Sequence, residues 1–141
     1  MRGVLAVDWG TRRLGLAVSD PTRLLARPLS TLRVKSAEEA AEGVALVAER
    51  EEAGAVVIGL PLHLSGAEGS SARAARRLGE ALRARGFEVI FVDERLSTEE
   101  ARRFARERGE RRGAKERLDQ LAAVLLLQEY LDARGRENGR A

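Results

Sequence analysis

Acidic residues stand at three places in this chain where a carboxylate is unusual. Asp8 directly follows an apolar run of strand length, and the pair Asp93 and Glu94 follows a second such run. Asp119 lies four positions before Ala123 in the last predicted helix, so it shares the apolar face of that helix. An ionised carboxylate at the edge of a core is costly unless it is paired or bound to a cation. These acids are therefore the candidates for chemistry.

Carboxylates that converge on one point repel each other unless a cation offsets their charge. The chain has no cysteine and a single histidine, so a ligand set made of oxygens favours Mg²⁺ or Mn²⁺ over Zn²⁺. Two such ions about 3.5 to 4 Å apart can activate water and stabilise the leaving oxygen in phosphodiester hydrolysis. Each acid also has an ordinary structural explanation, as a turn former, a helix N-terminal charge or a salt-bridge partner. A metal site explains all of them together.

Arginines that could hold a phosphate flank these acids. Arg12 and Arg13 follow the first acid in a predicted hairpin turn, and Arg95 follows the second pair. The planar guanidinium group matches the geometry of a phosphate. Ser65 and Gly66 precede a predicted helix, where backbone N–H groups can bind a phosphate. We expect these residues to bind the substrate.

Composition limits the class of protein. The 141-residue chain has a net charge of +3 and a pI near 10.1, and all but two of its 25 basic residues are arginines. A basic segment at 102–115 indicates either a clamp on a nucleic-acid backbone or a solvated helix face. The length predicts one domain over 1–134 and a disordered polar tail at 135–141. No apolar run approaches the roughly 20 residues that cross a bilayer, so we expect a soluble, cytoplasmic protein.

The elements that must position the acids follow from the apolar patterning. Strands are predicted at 4–7, 14–18, 24–34, 55–60 and 87–92, and helices at 37–53, 67–85, 98–108 and 115–133. Three meandering strands followed by βα units predict an α/β fold with a mixed five-stranded sheet and helices on both faces. The first and last strands then end at one edge of the sheet, where such folds form their sites.

Four segments of the chain resemble the YqgF/RuvX family. They are VDWGTRRLGLAVSD at 7–20, VIGLPLHLSG at 57–66, VDERLST at 92–98 and LDQLAAVLLLQEYL at 118–131. The resemblance implies an RNase H-like fold, which is the fold of Holliday-junction resolvases. It implies that Asp8, the pair Asp93 and Glu94, and Asp119 are catalytic acids. Within the pair we favour Glu94, so Asp8, Glu94 and Asp119 are the predicted metal ligands.

The resemblance also implies a nuclease that matures the 5′ end of pre-16S ribosomal RNA. The alternatives are a Holliday-junction resolvase acting on branched DNA and a nucleic-acid-binding module with a weak site. A sugar kinase or ATPase of the actin-like class is disfavoured, because it needs two lobes around its nucleotide. Related resolvases place an acid at the end of the strand next to the first one, but here that strand ends in Gly59 and Leu60. One metal or two, and a monomer or a homodimer, remain open.

Overall fold

The first strand of the chain is the middle strand of the sheet. A computed structural model describes residues 2–9, 13–60, 69–93 and 114–137, with the side chains of the last helix described from 120 to 135. Its strands are β1 (Gly3–Trp9), β2 (Arg13–Ser19), β3 (Ala26–Arg33), β4 (Ala53–Leu60) and β5 (Glu88–Asp93). Its helices are α1 (Ala37–Arg50), α2 (Ser70–Ala84) and α3 (Ala114–Glu137). None of these helices has the length and apolar character that crossing a membrane requires.

The sheet has the order β3-β2-β1-β4-β5. Neighbouring strands are antiparallel from β3 to β1, and β1, β4 and β5 are parallel to one another. The predicted mixed five-stranded sheet is confirmed. Pro28 lies in β3, which is an edge strand as that proline indicates, because a proline cannot donate to a neighbouring strand.

Residues alternate between the two faces of the sheet, and each face is covered by its own helices. On one face Leu5 and Val7 belong to a cluster that contains the buried residues of α1 and α2. On the other face Val4 and Ala6 belong to a cluster that contains Leu126 and its neighbours from α3. We call these the α1/α2 face and the α3 face. Burial on both faces explains why β1 and β4 are apolar along nearly their whole length.

Local signals fix where α1 begins. The Ser36 hydroxyl accepts a hydrogen bond from the Glu39 backbone N–H at 3.1 Å, and the Glu39 carboxylate accepts one from the Lys35 N–H at 3.3 Å. This is the cap that the spacing of Ser36 and Glu39 predicts.

Two predicted helix C-termini are wrong, by three and four residues. α1 ends at Arg50 rather than at 53, because Glu52 adopts a left-handed conformation with φ 57° and β4 begins at Ala53. α3 continues to Glu137, so the first three residues of the predicted tail at 135–141 are helical. The predicted helix at 98–108 lies outside the described residues.

Candidate active site

Asp8 is the buried acid of the sheet. It lies near the carboxyl end of β1, and its exposed fraction is 6%. It follows Val4 and Ala6 in the alternation of the strand, so it belongs to the α3 face. The carboxylate interacts with a neighbouring group, and its Oδ1 atom is buried without a hydrogen-bond donor among the described residues. The expected costly carboxylate at the edge of the core is therefore present.

A row of residues crosses the sheet from Asp8 to α3. Asp8 is in register with Gly15 of β2, and Gly15 is in register with Thr31 of β3. The Gln120 side-chain amide of α3 donates a hydrogen bond to the Thr31 hydroxyl at 3.1 Å. This bond holds Gln120, in the second turn of α3, at the level of Asp8. Asp119, the residue before Gln120, lies in α3.

A second polar anchor sets the direction of α3. The Gln128 side chain accepts a hydrogen bond from the Ala26 N–H at 2.9 Å and donates one to the Leu24 carbonyl at 3.0 Å. Because Gln120 bonds to the end of β3 and Gln128 to its beginning, α3 runs antiparallel to β3. It is therefore also antiparallel to β1, and its first turns lie over the carboxyl end of that strand.

Asp93 lies at the same edge of the sheet but on the other face. Asp93 is in register with Leu60 at the end of β4. Two residues before it, Phe91 packs with the cluster of the α1/α2 face, and its ring lies against Gly79 of α2. Alternation places Asp93 on the face of Phe91, whereas Val92 packs on the α3 face with Ala6. Glu94 lies outside the described residues.

Of the predicted substrate-binding residues, Arg13 is described. It begins β2 and is partly exposed, two residues before Gly15 on the α3 face. Its partner across the strands is Arg33 at the end of β3, which is exposed. The other predicted substrate-binding residues, Arg12, Arg95, Ser65 and Gly66, lie outside the described residues.

Sequence reasoning missed three residues at this edge of the sheet: Thr31, Gln120 and Arg33. The signal for Gln120 was available, because it is a polar residue next to Asp119 and directly precedes the apolar run 121–127. Thr31 and Arg33 become visible only once the register of β2 and β3 is known. Their importance comes from that register and not from their own sequence context.

The residues present fit a hard divalent cation in donor type. Asp8 supplies a buried anionic oxygen, which is the ligand that Mg²⁺ and Mn²⁺ prefer. Within the described part of the chain, no three acidic, histidine or cysteine side chains lie close enough together to hold a metal. Of the other predicted ligands, Glu94 is not among the described residues, and only the place of Asp119 in α3 is described. The fit therefore rests on the buried oxygen of Asp8.

A cavity of about 330 Å³ lies at the opposite end of the sheet. Its lining includes three acids, Asp20, Glu51 and Glu52, together with Arg27, which pairs with Glu51 at 3.0 Å. These acids already have local partners, since Asp20 also accepts hydrogen bonds from the backbone N–H groups of the following turn. The edge that carries Asp8 is the better candidate for a nucleic-acid site.

Known proteins resemble this chain over nearly its whole length. A family model described as "RuvX: Holliday junction resolvase" matches residues 2–133. A relative from Anaeromyxobacter sp. (strain Fw109-5) is 44% identical over 132 residues, which is 92% of this chain and 96% of the relative. One from Koribacter versatilis (strain Ellin345) is 43% identical over 136 residues, which is 94% of this chain and 88% of the relative. Both carry the name "Putative pre-16S rRNA nuclease".

Solved structures share the fold. RuvC of T. thermophilus in complex with a Holliday junction substrate superimposes with a TM-score of 0.56 at 19% identity, covering 95% of this chain and 96% of RuvC. The fowlpox virus resolvase in complex with Holliday junction DNA gives a TM-score of 0.50 at 11% identity, covering 96% and 97%. At such identities the likeness concerns the fold alone. The predicted RNase H-like fold is confirmed.

Proposed function

We propose that this chain, which belongs to the RuvX family, is a metal-dependent endonuclease that processes the 5′ end of pre-16S ribosomal RNA. One observation carries the proposal. The buried carboxylate of Asp8 lies one residue before the end of the middle strand of the sheet, on the face covered by the helix that carries Asp119. The curated relatives supply the substrate class, since they are named for pre-16S rRNA.

The proposed roles follow from position. Asp8, Glu94 and Asp119 hold the metal. When a divalent ion is bound, it activates water and stabilises the leaving oxygen of the phosphodiester. Mg²⁺ and Mn²⁺ are the proposed ions, because the donors are carboxylates.

The order of the strands supports Glu94 over Asp93 as the second acid. β4 lies between β1 and β5 and ends without a carboxylate, so we assign the second acid to the pair Asp93 and Glu94. Asp93 follows Phe91 onto the α1/α2 face. Glu94, the next acid in the sequence, is therefore the proposed second ligand.

The remaining proposed residues bind substrate. The guanidinium groups of Arg12, Arg13 and Arg95 hold phosphates of the strand on either side of the bond that is cut. Ser65 and Gly66 offer backbone donors to a further phosphate.

The second candidate function is resolution of branched DNA. The description of the family model favours it, since it names a Holliday junction resolvase. Resolving a junction requires two symmetric cuts and hence two copies of the site. This candidate therefore predicts a homodimer on the junction, whereas cleavage of the leader RNA requires one copy.

The test is a cleavage assay with wild type and Asp8→Asn in Mg²⁺ or Mn²⁺. The substrates are a pre-16S leader RNA, an unrelated single-stranded RNA and a four-way DNA junction. Asp132→Asn is the matched control, because it makes the same chemical change at an exposed position near the far end of α3. We expect wild type and Asp132→Asn to cut the leader RNA at one position, and Asp8→Asn to cut nothing.

Other outcomes separate the candidates. Cleavage of the junction in preference to the leader RNA would establish the resolvase. Binding of all substrates with cleavage of none, by wild type as well as by Asp8→Asn, would contradict both nuclease functions and leave a binding module.

A further inference from the structure

Two arginines lie side by side on the α3 face, one pleat beyond the row of Asp8. Arg13 of β2 and Arg33 of β3 are direct cross-strand partners. Gly15 and Thr31, two residues away on the same strands, are in register with each other, and Gly15 is in register with Asp8. The Cα atoms of Arg13 and Arg33 therefore lie about 7 Å along the strands from the row of Asp8, and they are one and two strand spacings away from β1.

The faces of these side chains follow from their neighbours. In β2, Leu14 and Leu16 pack on the α1/α2 face, while Ala17 packs on the α3 face. In β3, Leu32 packs on the α1/α2 face, while Thr31 bonds to Gln120 of α3. Arg13 and Arg33 alternate with the leucines, so both share the face of Asp8.

A pair of like charges directly opposite each other destabilises an antiparallel ladder. Arg13 is partly exposed and Arg33 is exposed, so both guanidinium groups can be reached from solvent. Each side chain also interacts within the chain, but a guanidinium has five N–H donors, so an internal contact leaves donors for a ligand. An anion that binds both groups relieves their repulsion.

We propose that Arg13 and Arg33 form a joint binding site for the phosphodiester backbone on the β3 side of Asp8. The inference deepens the proposed function and rests on it for the identity of the strand as substrate. The bound strand passes from Asp8 across the ends of β2 and β3, so Arg33 holds a phosphate away from the bond that is cut. The pair touches backbone only and reads no base, so the same site accepts RNA and single-stranded DNA.

The test measures binding in the Asp8→Asn background, so that cleavage does not disturb the measurement. The probes are a short fluorescein-labelled single-stranded RNA and a DNA strand of the same sequence. Their binding constants are measured by fluorescence anisotropy over a series of NaCl concentrations. A single-strand phosphate contact contributes about 0.7 to the slope of log K against log salt. We expect Arg33→Ala to lower that slope by about 0.7 for both strands, and to weaken binding by roughly tenfold, the equivalent of one charge-assisted hydrogen bond.

Arg27→Ala is the matched control. Arg27 belongs to the same strand, and its side chain is 60% exposed, but it pairs with Glu51 at the opposite end of β3. Its removal changes the net charge by the same amount, so we expect the slope to stay at the parent value. Arg33→Lys keeps the charge, and we expect it to restore the slope.

Equal effects of Arg33→Ala and Arg27→Ala would overturn the proposal, since they would mark a general effect of net charge. An unchanged slope in Arg33→Ala would overturn it as well. The cleavage assay is independent of both results. If wild type cuts nothing but Arg33→Ala lowers the salt slope as expected, the nuclease function is refuted and the backbone site stands. If wild type cuts and Arg33→Ala leaves the salt slope unchanged, the nuclease function stands and the backbone site is refuted.

Discussion

The choice between two adjacent acids, Asp93 and Glu94, gives the sharpest test of the site. Asp8 follows Val7, which is in register with Ile58, whereas Asp93 is in register with Leu60. The two acids are therefore separated by two strand spacings, or about 9 to 10 Å. Asp93 also belongs to the α1/α2 face, so the sheet itself stands between the two carboxylates.

The difference in face, rather than the distance between the strands, excludes Asp93 from a metal site shared with Asp8. Carboxylate oxygens bind Mg²⁺ at about 2.0 to 2.1 Å, and paired ions lie about 3.5 to 4 Å apart. Two carboxylates on one face can meet at such a centre by leaning toward each other. A carboxylate on the opposite face of the sheet cannot.

We therefore expect Glu94→Gln to lose at least about a hundredfold in cleavage rate, since a metal ligand supplies several kcal/mol to the transition state. We expect Asp93→Asn to stay within about threefold of wild type, as an exposed substitution away from the site does. The measurement is the initial rate on the substrate that wild type cuts, over a series of Mg²⁺ concentrations. Each variant removes one negative charge at neighbouring positions, so each controls for the other. A large loss in Asp93→Asn with full activity in Glu94→Gln would refute the assignment of faces.

Three further predictions concern the scaffold. Gly79→Ala places a Cβ 2.8 Å from Cε1 of Phe91, so we expect overpacking to cost about 1 to 3 kcal/mol of unfolding free energy in urea; a higher urea midpoint would contradict this. Ser19→Ala removes the hydroxyl that accepts a hydrogen bond from the buried Val4 N–H at 2.8 Å. We expect it to cost about 1 to 3 kcal/mol of unfolding free energy in the same assay, and an unchanged urea midpoint would contradict this. Hydrogen bonds from the backbone and side chains of the following turn lower the pKa of Asp20 from 3.8 to about 2. The ionised Asp20 carboxylate therefore stabilises the fold above pH 3.8, and this stabilisation is lost as the pH falls toward 2. Thermal melts should show a smaller drop in melting temperature between pH 4 and pH 2 for Asp20→Asn than for wild type.

The sheet was predictable because its signals are local. The apolar runs of β1 and β4 are long and rich in β-branched residues, which indicates strands covered on both faces. Pro28 marks an edge, and Ser36 with Glu39 marks the start of a helix. Each of these signals depends on neighbours within a few positions in the sequence.

The faces of the acids were not predictable, because they depend on packing between distant elements. β5 is apolar at four successive positions, so alternation alone does not tell which residues face α2. The contact of Phe91 with Gly79 settles the face of Asp93. The partnership of Arg13 with Arg33 depends on a hairpin register that slips between Leu16 and Ala17, and the sequence carries no sign of that bulge.

The two acids that we propose as metal ligands on β1 and after β5, Asp8 and Glu94, differ in side-chain length. The strand beside β1 ends in Gly59 and Leu60, so the proposed second acid follows β5, which lies two strand spacings from β1. A glutamate carries one methylene more than an aspartate and covers more of that distance. The proposal therefore predicts that Glu94→Asp lowers the cleavage rate even though it preserves the charge.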